Sequence, residues 1–245
     1  MKQPEPEYQP RFYRKQVLSE FGIEAGYQES DLYISSDRRL DKLEIVPIIQ
    51  RHYQVIKDYC CQNPKFMSSL SPIARDAAAP DIARDMIEAG IAGGVGPFAS
   101  VAGAVALYVG KGILALGPEE VIVENGGDIF LKINSDKKIG VFLGIDAVIP
   151  SVTLNIRRRP EAFGIASSSA KLGHSLNFGA ADLVTVIAAS AILADSFATA
   201  LSNRIKNARD AAIVVKETGK IKFIYGILAC IEGKIFLRGD LELAG

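Results

Sequence analysis

The chain has 245 residues, 49% hydrophobic and 23% charged, with Lys+Arg and Asp+Glu both at 28. That length gives one large domain or a tightly fused pair of halves, with enough apolar residues for a substantial core. The zero net charge removes the electrostatic case for nucleic acid. Cys60, Cys61 and Cys230 lack metal-ligand spacing, and an adjacent pair makes a poor structural disulfide. So sparse a set suits a reducing compartment. The polar N-terminus has no apolar stretch of the secretory kind, so a cytoplasmic protein is expected, a single domain over 1–245 with a loose arm at 1–10.

Strands are expected at Phe12–Glu20 and Gly26–Ser35, joined through the glycines of FGIEAG. A helix is expected from Val46 to Cys61, with Pro47 in its first turn and Asn63-Pro64 ending it. Ser71-Pro72 reads as a helix start, and Pro80-Asp81 as a restart running to Glu88. Gly90, Gly93, Gly94 and Gly96 then precede a helix from Pro97 to Val109, with Gly110 as its stop. Its Ala99, Ala102, Gly103 and Ala106 allow close packing.

Strands follow at Val121–Glu124, Ile129–Ile133 and Ile139–Ile145. Asn125-Gly126-Gly127-Asp128 between the first two is a strong tight-turn signal. Ser151–Ile156 and Leu183–Ala188 read as strands, and Ser190 caps a helix reaching about Asn207. Strands at Ala212–Lys216, Ile221–Cys230 and Lys234–Leu237 close the chain. Neighbouring strands with grouped helices argue for α+β with antiparallel sheet, and the loosely repeated order hints at two halves. The apolar stretches Ile91–Leu116 and Leu183–Leu201 are interrupted by Gly, Pro, Lys or Asp and read as buried core, so no membrane is expected.

Several residues carry two readings. Asp195 and Thr199 are four apart and share a helix face among apolar and small residues. A carboxylate in that setting needs a partner. Arg204 or water would serve, and so would a cation, since a carboxylate with a hydroxyl suits Mg²⁺. The Gly90–Pro97 loop is either a phosphate cradle at a helix N-terminus or a tight connection between packed helices. Arg157–Arg159 reads as a solvated edge. His52 reads as packing or surface. His174, in a Gly/Ser-rich loop, is open between a structural and a functional role.

Read in order, these pieces resemble the ApbE-like superfamily, the FAD:protein FMN transferases. Asn125-Gly126-Gly127-Asp128-Ile129 is similar to its Asn-x-Gly-Gly-Asp-Ile element. Ser167-Ser168-Ser169 is similar to its Thr-Ser-Gly segment, and His174 stands where its following histidine would. LVTVIAASAILADSFATAL resembles its strand followed by Ala-Asp-x-x-Ala-Thr-Ala. The resemblance implies a T-fold-like α+β architecture and a flavin site for FAD or FMN. It implies Mg²⁺ on Asp195, Thr199 and a backbone carbonyl near Ala92, with His174 and Asp195 as catalytic candidates. The cofactor would lie against Gly93, Gly94, Gly96, Asn125, Gly126, Gly127, Asp128, Ser167 and Ser168.

The transferases carry Gly-Ile-Ala-Lys-Gly where this chain has Gly90-Ile91-Ala92-Gly93-Gly94, and their long flavin-clasping N-terminal portion is not recognisable here. The chain therefore looks like the shorter branch of the superfamily. Three functions stand: a Mg²⁺-dependent flavin or nucleotidyl transfer onto an acceptor protein, binding of a flavin or metabolite without transfer in sulfur assimilation, or an unliganded structural or interaction protein. A small-molecule nucleotide is the expected partner, and the oligomeric state is open. The Gly-rich loop, the NGGD turn and the Asp195 helix are expected to meet at one site.

Overall fold

A computed structural model describes residues 21–143, 149–170 and 177–244. The expected strand at Phe12–Glu20, the arm at 1–10 and His174 lie outside these residues. The chain opens with an antiparallel hairpin, β1 (Gly22–Tyr27) and β2 (Ser30–Ser36). FGIEAG therefore enters a strand instead of linking two. Helix α1 (Lys42–Gln62) starts earlier than Val46 because Asp41 and Glu44 form a capping box. Pro47 falls in its second turn. The proline removes the donor that the Leu43 carbonyl would receive, at a position where Leu43 is 84% exposed and water can substitute.

A short α2 (Pro64–Ser68) is followed by non-helical chain to Pro80, so Ser71-Pro72 starts nothing. Helix α3 spans Asp81–Gly93, and a 3₁₀ turn at Pro97–Ser100 leads into α4 (Val101–Leu114). Gly110 does not stop α4. A Cβ there would stand 2.2 Å from the Phe130 ring, so this glycine exists to seat Phe130 against the helix. The segment Pro97–Leu114 is long and apolar enough to cross a membrane, but it is packed inside the fold against α1, α5 and the sheet.

Strands β3 (Val121–Asn125), β4 (Asp128–Lys132), β5 (Lys137–Phe142), β6 (Ser151–Ile156), β7 (Phe163–Ser168) and β8 (Leu183–Ala188) follow, then α5 (Ala191–Arg204) and α6 (Ala208–Thr218). The chain ends with β9 (Ile224–Ile231), β10 (Lys234–Gly239) and β11 (Glu242–Leu243). One correction arises here. Ala212–Lys216 is helical, because Ala211, Val214, Val215 and Thr218 are its buried face and Asn207 caps it. Phe163–Ser168, which contains the first two serines of the run, is a strand.

Eight strands form one antiparallel sheet in the order β1-β2-β3-β4-β7-β8-β9-β10. The strand–strand–helices–strand–strand order occurs twice, first as β1 to β4 around α1–α4, then as β7 to β10 around α5–α6. This is the T-fold-like α+β arrangement, with the halves joined along β4 and β7. Alternation along the strands separates two faces. Phe130, Ala166, Val184, Val186 and Ala229 lie under the helices. Leu131, Ile165, Leu183, Ile187 and Leu228 face the other way, against the small sheet β11-β6-β5.

Arg157 and Arg159 close this second layer. Arg157 pairs with Glu242, while Arg159 pairs with Asp240 and stacks over Tyr225 at 4.1 Å. Those two arginines are thus ion-paired struts holding the C-terminal turn.

Helix α5 lies on β7 at a glycine. A Cβ on Gly164 would stand 2.2 Å from the Ala191 backbone, so Gly164→Ala must push the helix off the sheet. It should lose about 2–3 kcal/mol by overpacking. Gly140→Ala, where nothing lies within 4 Å, should stay close to wild type. Urea denaturation of the two variants checks the contrast, and equal midpoints would contradict it.

Candidate functional site

The Gly-rich loop is built as a helix ending. Gly90 and Gly93 are inside α3, and Gly94 is its left-handed terminal residue at φ 75°, where a glycine avoids Cβ strain. The N–H groups of Gly94 and Val95 both close onto the Gly90 carbonyl, at 2.8 and 3.0 Å. Those two donors are occupied, so they cannot cradle a phosphate. Gly96 permits a close crossing, since a Cβ there would stand 1.8 Å from the Ser69 carbonyl oxygen. The loop thus follows its packing reading at Gly93 and Gly96. What it does present is the carbonyl end of a helix. No backbone N–H among the described residues donates to the Ala92 carbonyl, and a helix C-terminus carries partial negative charge that favours a cation.

Helix α5 packs directly on that end. The Ser196 hydroxyl donates to the Ala89 carbonyl at 2.7 Å. A Cβ on Gly93 would lie 2.4 Å from Ser196 Oγ. Asp195 and Thr199 flank Ser196 on the helix and are 8% and 9% exposed. Asp195 Oδ2 accepts the Gly103 N–H at 2.9 Å, which caps the first turn of α4 from across the chain. The proposed alternative, a pair with Arg204, is not formed, because Arg204 engages Glu217.

The NGGD segment is the β3–β4 hairpin tip, with Asn125 opposite Asp128 and positive φ at Gly126 and Gly127. It is docked on the same helix start: Asn125 Nδ2 donates to the Ala102 carbonyl at 3.1 Å. Glu124 Oε1 accepts from Gly127 N–H at 2.8 Å, bracing the turn. Contacts therefore run from the end of α3, through α5 and the start of α4, to the hairpin tip. That chain of contacts links Gly93 with Ser196, Asp195 with Gly103, and Asn125 with Ala102.

The serines divide between faces. The β4–β7 register leads from Ile129–Ile165 toward the hairpin tip and Ser167. Ser167, however, points to the far side of the sheet and bonds Thr185 at 2.9 Å. Its side chain faces away from Asp195, contrary to its expected place beside Ser168, because strand neighbours alternate. Ser168 is on the helix side and receives a hydrogen bond from Asn177. Asn177, Ser196 and Ser202 were not singled out in the sequence. Only the helical spacing of Ser196 and Ser202 around Thr199 marks them as sharing its neighbourhood.

Burial pushes the Asp195 carboxyl up to about 7, and the Gly103 N–H opposes that shift. Among the described residues no cation pairs with Asp195, and no three His, Cys, Asp or Glu side chains gather as a metal cluster. A cation at this place would be held by one carboxylate, a hydroxyl and carbonyl oxygen. That is a hard-oxygen set of the kind Mg²⁺ accepts.

The fold places this chain with proteins of the ApbE architecture. It superposes on the Pseudomonas stutzeri flavinyl transferase ApbE, apo form, with a TM-score of 0.51 at 12% identity, covering 90% of this chain and 96% of that one. The ApbE protein of Thermotoga maritima gives 0.51 at 13% identity, covering 90% and 97%. The family described as AbpE bacteria matches residues 14–222, and the chain belongs to it. A UPF0280 protein of Methanocaldococcus jannaschii is 35% identical over 79% of this chain and 80% of its own length.

The raised Asp195 pKa fixes a sign. The folded protein holds this proton more tightly than the unfolded chain does. Its contribution is therefore greatest below about pH 4, declines as pH rises toward 7 and is level above. Asp195→Asn keeps an oxygen for the Gly103 N–H and removes the ionisation. In metal-free buffer at pH 8 the variant should be more stable than wild type by up to about 4 kcal/mol. The gap should close as pH approaches 4. Urea melts across that range check it, and a gap independent of pH would show that Asp195 ionises unhindered.

Proposed function

We propose that this protein binds a flavin nucleotide together with Mg²⁺ where α3 ends, the hairpin tip docks and α5 crosses, and that it transfers a flavin or nucleotidyl group. The observation that carries the reading is Asp195: a buried carboxylate without a cationic partner among the described residues, one turn from Thr199 and beside the carbonyl end of α3. Asp195, Thr199 and the Ala92 carbonyl would hold the ion. Bound there, Mg²⁺ would neutralise pyrophosphate charge and act as a Lewis acid. Asp195 keeps its orientation through the Gly103 N–H, and Asn125 holds the hairpin tip against α4.

One observation favours binding without transfer, in a flavin- or metabolite-binding protein. Gly93 stands where the transferases carry lysine. A side chain here would displace Ser196 Oγ from its bond to Ala89. The site is thus packed for glycine, and transfer would proceed without that lysine. Incubation with FAD, Mg²⁺ and candidate acceptor proteins separates the two. Covalent FMN with AMP release supports transfer, and bound but unaltered FAD supports binding alone.

The metal assignment has its own test. Asp195→Asn should weaken Mg²⁺-dependent FAD binding at least tenfold, equivalent to about 1.4 kcal/mol. Thr199→Val should act in the same direction but less, since it removes a neutral oxygen. Melting temperatures with and without Mg²⁺ and FAD read both effects. Ligand-induced shifts unchanged in both variants would remove the metal from this site.

A further inference from the structure

We propose that Asn177 is a positioning residue that turns the Ser168 hydroxyl into a fixed hydrogen-bond donor toward the bound nucleotide. This rests on the flavin-nucleotide reading given above. The Asn177 side chain makes three bonds. Its Oδ1 accepts the Gly179 N–H at 2.7 Å. Its Nδ2 donates to Ser168 Oγ at 2.9 Å and to Ser202 Oγ at 2.7 Å. The Gly179 bond sets the orientation of the amide, because an N–H can be met only by the carbonyl oxygen. Both amide hydrogens are then directed at the serines.

A hydroxyl has one hydrogen to give and two lone pairs to receive with. Asn177 occupies a lone pair of Ser168 and, having only hydrogens on that side, cannot accept in return. No acceptor for the Ser168 hydrogen is found among the described residues. The residue is 7% exposed, so an unmatched donor there is unfavourable until something accepts from it. It lies on the helix side of β7, on the strand that runs beside the hairpin tip. The partner that fits is an acceptor oxygen or nitrogen, as supplied by a phosphate, a ribityl hydroxyl or a flavin carbonyl.

Asn177 also sets distance. By holding Ser168 on β7 and Ser202 on α5 at once, it fixes the gap between the strand and the last turns of the helix that carries Asp195 and Thr199. Gly179 completes the contact, since a Cβ there would stand 2.0 Å from the Ser202 carbonyl oxygen.

Asn177→Asp tests the direction of the bond without changing the shape. An aspartate accepts where the amide donated, so the Ser168 hydrogen turns inward and is lost to the ligand. Wild type, Asn177→Asp, Ser168→Ala and the double variant are titrated with FAD, FMN and ADP at pH 8 in Mg²⁺, with melting temperatures measured alongside. Asn177→Asp and Ser168→Ala should each weaken binding five- to tenfold. The double variant should be no weaker than Ser168→Ala, and Asn177→Asp should melt within a few degrees of wild type. Wild-type binding that Asn177→Asp leaves unchanged, or effects that multiply in the double variant, would overturn the role of Asn177 alone. Failure of wild type to bind any of the three nucleotides would overturn the flavin-nucleotide reading and this inference together.

Discussion

One hydrogen bond holds the working end of this fold together: the Asp195 carboxylate accepting the Gly103 N–H. It ties a helix of the second half to the first turn of a helix of the first half. The α4 start has no side-chain cap of its own, because Ser100 makes no such bond. A carboxylate at a helix N-terminus stabilises both the open N–H groups and the helix dipole. The same carboxylate is buried, so its charge is unfavourable unless a counter-charge arrives. The contact that caps α4 therefore places an ionisable group where its charge is disfavoured.

That contact also explains the distribution of small residues. Gly103 has no room for a side chain, since a Cβ would stand 2.8 Å from Asp195 Cβ. Gly93 is likewise filled by Ser196, and Gly164 by the start of α5. Helix α5 thus reaches α3, α4 and the sheet at backbone distance. Such crossings bring main-chain oxygens and N–H groups near each other, and a site can then be made largely from backbone with few ionisable side chains.

The AbpE family assignment rests on a match across most of the chain, whereas the similarity to the flavinyl transferase is one of architecture, at 12% identity. Gly93 is embedded in packing, because the space a side chain would need there is taken by Ser196 of α5.

Local chemistry made some elements readable from the amino-acid order alone. The NGGD turn needs positive φ at Gly126 and Gly127, and glycines supply it without strain. Ser190 caps α5 by accepting from Leu193 N–H, and the spacing of Asp195 and Thr199 put both on one helix face. Elsewhere tertiary packing decided. The β-branched run Ile213–Val215 is helical because its Ala211, Val214 and Val215 side lands on β9 and β10. Gly110 continues a helix because Phe130 takes the space of its side chain. The faces of Ser167 and Ser168 were set by strand pairing, which turns adjacent side chains to opposite sides of the sheet. The order of residues determined which groups were present and how neighbours could turn. Which of them met depended on contacts between distant segments, such as Asp195 with Gly103, where burial and backbone donors far along the chain give a carboxylate its character.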